Sequence, residues 1–304
     1  MSTVPIHFQQ VTGLGGPYQT TTRGFSGISP FGTCWFLDTV NGLDGNDGKS
    51  AALAKLTLAE VYSRMSAGDS LIIAPGSTIT LTAAFSLAKA NITIVGIGNI
   101  NNKPTITVNV AADGLSLDAA GITVDNIAFA APGTDAATAM INVAAAGCTI
   151  KNITGIGSGS SKNFVDCITL ASGANDCLIN NVELYNTNTP VNSFLSIEAA
   201  VARLRVFNLF AFGDCVTAGI IDGATATQIH FFNVVIGTVG TTIAGAILDS
   251  NPTGLIENCK FAGTSTTLAN NAALGTGVRL FNVWVLEETD GSAQGAQIPA
   301  VDVN

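Results

Sequence analysis

Apolar positions along the chain fall into a frame that returns again and again. Seven asparagines, Asn126, Asn152, Asn181, Asn208, Asn233, Asn258 and Asn282, recur every 24–29 residues. They sit in ITVDNIAF, CTIKNITG, CLINNVEL, LRVFNLFA, IHFFNVVI, LIENCKFA and VRLFNVWV. Two residues before each Asn stand Val124, Ile150, Ile179, Val206, Phe231, Ile256 and Leu280. One residue after stand Ile127, Ile153, Val182, Leu209, Val234, Cys259 and Val283. Residues two apart in a strand share a face. A strand facing inward at −2 should therefore face inward again at the Asn, yet the inward set resumes one residue later. The chain must bend there. Asn tolerates left-handed backbone and bonds locally, which suits a sharp corner between two strands. Stacked turns of chain would also line these amides into a ladder.

A second family of short strands lies roughly ten residues before each Asn: GLSLD (114–118), MINVA (140–144), CITLA (167–171), FLSIE (194–198), GIID (219–222) and AILD (246–249). Coils of this length that bury a face only by stacking define a solenoid. The pattern predicts an all-β chain, a right-handed parallel β-helix over residues 69–288. At a strand spacing of about 4.8 Å, eight to ten coils would make a rod about 40–50 Å long.

Solenoids need caps, because terminal coils expose core and unpaired edges. Residues 49–67 (KSAALAKLTLAEVYSRMSA) carry the one clear helical pattern, with Leu53, Leu56, Val61 and Met65 as the apolar stripe. This predicts an N-terminal cap with a helix over residues 36–68. Residues 1–35 read as an extended arm, with 1–33 as a docking segment. Residues 289–304 read as a loose tail.

Composition sharpens this picture. Apolar residues make up 47% and charged residues only 11%, with a mean hydropathy of +0.43. Charge is about half the usual share, so part of the surface is expected to be covered by other chains. Residues 231–248 are uncharged and long enough to span a bilayer. They hold Asn233, threonines and glycines and fit the repeat, so no membrane span is expected. With net charge −9 and only 12 Lys and Arg, no basic stripe is present, and nucleic-acid binding is disfavoured. Residues 1–16 show no secretory signal pattern. Cys34, Cys148, Cys167, Cys177, Cys215 and Cys259 form no CxxC. They read as small buried thiols in a reduced compartment, with no metal site and no disulfide framework.

Three groups of residues are candidates for chemistry. Asp38, Asp44, Asn46 and Asp47 crowd among glycines. Clustered oxygens suit calcium, but no EF-hand register fits, and Asx-rich turns are the preferred reading. Glu198, Asp222 and Asp249 end the second strand family on consecutive coils. In register they would stand about 5 Å apart, near the separation used by retaining glycosidases. Like charges so close would raise one pKa or attract a cation, with Arg203 or Arg205 nearby. The plainer reading, solvated strand ends, is preferred. The third group faces outward. Beside the corners the early coils carry Asp125, Lys151, Asn180, Thr154 and Glu183, whereas the late coils carry Phe207, Phe210, Phe232, Val235, Phe281 and Trp284. A contiguous aromatic stripe of this kind marks an interface between subunits, unless a loop or the N-terminal arm covers it.

The opening DTVNGLDGNDG (38–48), a helix, then GDSLIIAPG (68–76) and the Asn-cornered coils resemble the pectate-lyase-like β-helix proteins. The likeness extends over residues 36–288 and is strongest to the tailspikes, fibres and capsid-surface proteins of tailed phages. It is specific for architecture and weak for activity. It implies a homotrimer. The NTD, DD, GHG and RIK motifs of polygalacturonase-like members are absent, and only His7 and His230 are present. The expected protein is a non-enzymatic virion component without cofactor, assembled in the host cytoplasm. It would decorate or stabilise a capsid, or form a tail spike or fibre, with residues 1–33 docking to other virion proteins. The alternative is a carbohydrate-active depolymerase, a lyase or hydrolase acting on a host glycan through Glu198, Asp222 and Asp249. An ice- or sugar-binding grid would need more outward threonines than TITLT (78–82) and TITV (105–108) supply.

Overall fold

A computed structural model describes residues 32–131, 137–157, 164–239, 244–248, 252–264, 272–274, 277–287 and 294–298. The chain is an all-β, right-handed parallel β-solenoid of about 7 turns. Its strands form a 17-stranded and an 8-stranded sheet. The larger sheet holds the two strand families that meet at the Asn corner. Before the corner, Cys34, Ser70, Thr93, Thr123, Thr149, Leu178 and Arg205 stand in parallel register, followed by His230, Leu255 and Arg279. After it, Thr78, Thr105, Ala128, Thr154, Glu183, Phe210, Val235, Lys260 and Trp284 do the same. The smaller sheet stacks Ser86, Ser116, Asn142, Thr169, Ser196, Ile221, Ile247 and Ala273. The turns number fewer than the eight to ten expected from sequence. The first rung of the larger sheet, Cys34–Leu37, is followed by the cap and then by Ser70–Ile73 with no strand of the smaller sheet between, so it closes no full cross-section.

The bends have the backbone the pattern demanded. All seven repeat asparagines have φ between 52° and 56°. Both flanking apolar columns are buried, with Val124, Val206, Phe231, Ile256, Leu209 and Val234 at 0% exposure. One continuous core joins them from Trp35 to Val283. A second left-handed corner recurs one or two residues before the first strand of six coils, at Asn91, Gly121, Gly147, Asp176, Arg203 and Gln228. Residues 231–248 contribute the solenoid strands Val235–Val239 and Ala244–Ile247. Among the described residues no helix is long and apolar enough to cross a membrane.

The cap differs from expectation. Its helix is Leu58–Arg64, preceded by a single 3-10 turn at Ala51–Leu53, and not the whole of 49–67. Residues 54–56 leave the helical path because Lys55 bridges to Leu37. Its amide donates to the Phe36 carbonyl, and its carbonyl accepts from Asp38. Sheet pairing overrides helical propensity here. Thr57 then caps the helix, its side chain accepting from the Glu60 amide. Leu58, Val61 and Met65 face the core, whereas Leu53 is exposed and Leu56 half-buried. At the other end, Gln294–Ile298, in the segment read as a loose tail, pairs antiparallel with Val283–Glu287. That pairing covers a sheet edge. The arm's residues 1–31 lie outside the described residues.

Candidate functional site

The outward side of the late coils is built by strand parity. Core residues point in at −2 and +1 from each corner, so −1, +2 and +4 point out. At −1, Phe207 stacks on Phe232 with rings edge-on and centroids 6.3 Å apart. Phe207 also meets the His230 ring at 5.1 Å. Glu257 separates Phe232 from Phe281, and its carboxylate lies 3.5 Å from His230 Nε2. At +2, Phe210, Val235, Lys260 and Trp284 follow in register. The Trp284 indole donates to Asn282. Phe210, Phe232 and Phe281 are exposed, the last by 60%, while Phe207, Val235 and Trp284 are half-buried.

The sequence reading missed the +4 column. Tyr185, Phe212, Gly237, Ala262 and Leu286 stand in register there. Tyr185 and Phe212 are 43% and 48% exposed. Together with Phe210, Val235 and Lys260 they line an open groove of about 310 Å³. A Cβ on Gly237 would lie 2.6 Å from the Phe212 ring, so the glycine is what lets that ring approach the next rung closely. The signal was present, because +4 has the parity of +2. The earliest rungs also carry outward apolar groups. Ile72, Val95 and Ile97 form a small satellite cluster with Cys34 and Phe36.

The corner amides form a broken ladder. Asn181 Nδ2 donates to Asn152, Asn233 to Asn208, and Asn282 to Asn258, at 2.7–2.8 Å. Two steps slip by one residue: Asn152 donates to Asp125, and Asn208 to Asn180. Asn126 instead donates to the Gly96 and Gly98 carbonyls.

The proposed acidic row does not form. Register pairs Ile197 with Asp222, so Glu198 lies one position further along its strand. Asp222 therefore points into the core and is 2% exposed, whereas Glu198 is exposed. The ladder aligns GIID with FLSI, so Gly223, and not Asp222, stands level with Glu198. Asp249 lies outside the described residues. Arg203 is engaged at its own corner by a bidentate pair with Asp176.

A different acidic group surrounds Glu198. Asp166 is 5% exposed and accepts from Ser193 Oγ at 2.5 Å and Asn192 Nδ2 at 3.2 Å. Burial pushes its carboxyl above the ordinary range, against those two donors. The Glu198 carboxyl is also raised, first by burial and then by the negative charges of Asp166 and Asp113. Asp113 accepts from Asn142, which in turn accepts from Thr169. These residues lie on or beside the smaller sheet. Asp113 and Asp166 were missed because they stand outside the strand-end column that was read.

The cap's oxygens serve turns. Asp38 accepts from the Val40 and Asn41 amides, and Asp44 from Leu56, Thr57 and the Thr57 hydroxyl. Asn46 donates to the Ala54 carbonyl, and Asp47 accepts from the Lys49 amide. Among the described residues no three His, Cys, Asp or Glu side chains stand close enough to share a metal ion.

No protein-family model matches the chain, and no curated protein sequence does. Solved structures match its fold. A rhamnogalacturonan lyase is 12% identical with TM-score 0.60, over 87% of this chain and 79% of that one. A pectate lyase is 14% identical with TM-score 0.56, over 82% of this chain and 68% of that one. At such identities the likeness is one of architecture.

Proposed function

We propose that this chain is a non-enzymatic structural β-helix of a phage particle's surface, assembled as a homotrimer through the aromatic flank of its late coils. The exposure of Phe210, Phe212, Phe232 and Phe281 along one flank carries this reading. A monomer rarely leaves so contiguous an apolar surface in water, and aromatic residues are enriched in interface cores. The low charged content agrees with a surface partly covered by protein. The phage setting rests on the resemblance of the cap motif and coils to phage β-helix proteins. In this reading residues 1–33 dock to other virion proteins, and the solenoid projects as a capsid decoration, spike or fibre. Size-exclusion chromatography with light scattering is expected to give a mass of three protomers. A monomer at micromolar concentration contradicts the proposal.

A second reading, a carbohydrate-active protein, is favoured by Asp113, Asp166 and Glu198, and by the names of the solved neighbours, which are polysaccharide lyases. A carboxyl held above its ordinary range is suited to giving up a proton near neutral pH. In this reading Glu198 is the exposed acid and Asp166 keeps it protonated. Incubation with host-surface and plant polysaccharides tests it. Release of oligosaccharides that Glu198→Gln abolishes would support it, and intact polymer after exposure to wild type would remove it.

A further inference from the structure

The geometry points to Cys148 and Cys177 as an oxidative modification site, at which a peroxide joins two neighbouring coils by a disulfide. The two residues directly precede the paired positions Thr149 and Leu178. The Leu178 amide donates to the Cys148 carbonyl at 2.9 Å, so the cysteines stand opposite each other on adjacent rungs. In-register rungs lie about 4.8 Å apart, inside the Cα separation that a disulfide accepts. Each thiol also donates to backbone carbonyls, Cys148 to Ala119 and Ala146 and Cys177 to Ala145 and Asn175.

Their positions on facing rungs divide the labour between them. Cys177's hydrogen bond, aided by the backbone amides of Ile122 and Gly121 and opposed by burial, holds the Cys148 thiol below its ordinary range. The same hydrogen bond, with burial, pushes the Cys177 thiol up. Burial instead raises the thiols of Cys34, Cys167, Cys215 and Cys259. The thiolate is the nucleophile, so Cys148 reacts first. Its sulfur attacks one peroxide oxygen, the O–O bond breaks, and hydroxide leaves, giving a sulfenic acid. The Cys177 sulfur then attacks that sulfur; an S–S bond forms and water departs with the Cys177 proton. The two sulfurs are oxidised and one peroxide is reduced. Both thiols are buried in the closed fold. Each follows directly on a turn with exposed residues, Gly147 before Cys148 and Asp176 before Cys177. Local opening of these turns admits the oxidant.

The test oxidises the full chain with dilute hydrogen peroxide, blocks remaining thiols, and maps peptides without reduction. A peptide pair linked through Cys148 and Cys177 is the expected product. In Cys177→Ala, dimedone should label Cys148 well ahead of Cys259. The oxidised wild type should melt roughly 5 °C higher, and a reductant should reverse the shift. Cys148 and Cys177 recovered as free thiols once Cys34 is fully oxidised would overturn the proposal. So would dimedone labelling of Cys148 no faster than Cys259, or an unchanged melting temperature in the linked form.

Discussion

Two residues past the corner, the early coils carry Ala128, Thr154 and Glu183, and the late coils carry Phe210, Val235, Lys260 and Trp284. One residue before it, Asp125 and Lys151 pair at 3.2 Å in the early coils, while Phe207 and Phe232 stack in the late ones. Inside, the two regions are alike: Phe129 and Ile153 are as buried as Phe231 and Val234. Stacking dictates the interior, because every coil must fill the same cross-section. The outward positions carry no such duty, so their composition reports what each region meets. Lys103 makes the point for the early coils. Its ammonium donates to the Asn152 carbonyl and Thr154 Oγ1, tying the exterior to its own chain.

If the interior is shared, it should be equally intolerant at both ends. Phe129→Ala and Phe231→Ala are each expected to cost about 3–5 kcal/mol in denaturant melts. A cost below about 1 kcal/mol at either site would break the equivalence. The exterior should separate the regions. Phe210→Ser and Phe232→Ser should each weaken self-association by about 2 kcal/mol, while shifting protomer stability by no more than about 0.5 kcal/mol. Thr154→Ala and Glu183→Ala, at matching early positions, should leave association unchanged by sedimentation equilibrium. The corners should again behave alike. Asn208→Ala and Asn152→Ala lose both the tolerated left-handed backbone and an amide bond, for about 2 kcal/mol. Asn208→Gly keeps the backbone and should cost about half as much.

The smallest effect sets the cap against the coils through pH. Burial raises the Asp69 carboxyl, but donors from Ser66, Trp35 and Thr33 outweigh it and hold the group low. Its stabilisation is therefore present above the ordinary carboxyl range and is lost as pH falls through the lowered native value. Asp166 is raised, so its contribution has the opposite sign. It is fully present below the ordinary range and is lost as pH rises through the raised value. Asp166→Asn should flatten the pH profile of the melting temperature above about pH 4, changing stability by roughly 1 kcal/mol or less. Asp69→Asn should flatten the acid side instead.

Much of this architecture was legible because one residue type repeats at one corner. Asn at left-handed φ, with aliphatics at −2 and +1, fixes a bend and an inside. The other corner escaped notice although its backbone is equally regular. Asn91, Gly121, Gly147, Asp176, Arg203 and Gln228 share a conformation but no side chain. Arg203 holds its place there with the help of its ion pair to Asp176, one coil before. The helix was overread because its apolar spacing continues through residues that sheet pairing claims. Outward aromatics followed from parity alone, and Tyr185 and Phe212 needed only one further step along the strand. The acidic row failed on register: Asp222 stands level with Ile197 and not with Glu198, which turns it from the surface to the core, and only the hydrogen-bond ladder shows that one-residue offset.

A cryo-EM structure of the assembled protein would test the account at its centre. It should show the flank bearing Phe210, Phe232 and Phe281 buried against neighbouring copies, with Asp125, Lys151 and Glu183 left in solvent. An assembly held by another surface, with those three rings facing water, would contradict it.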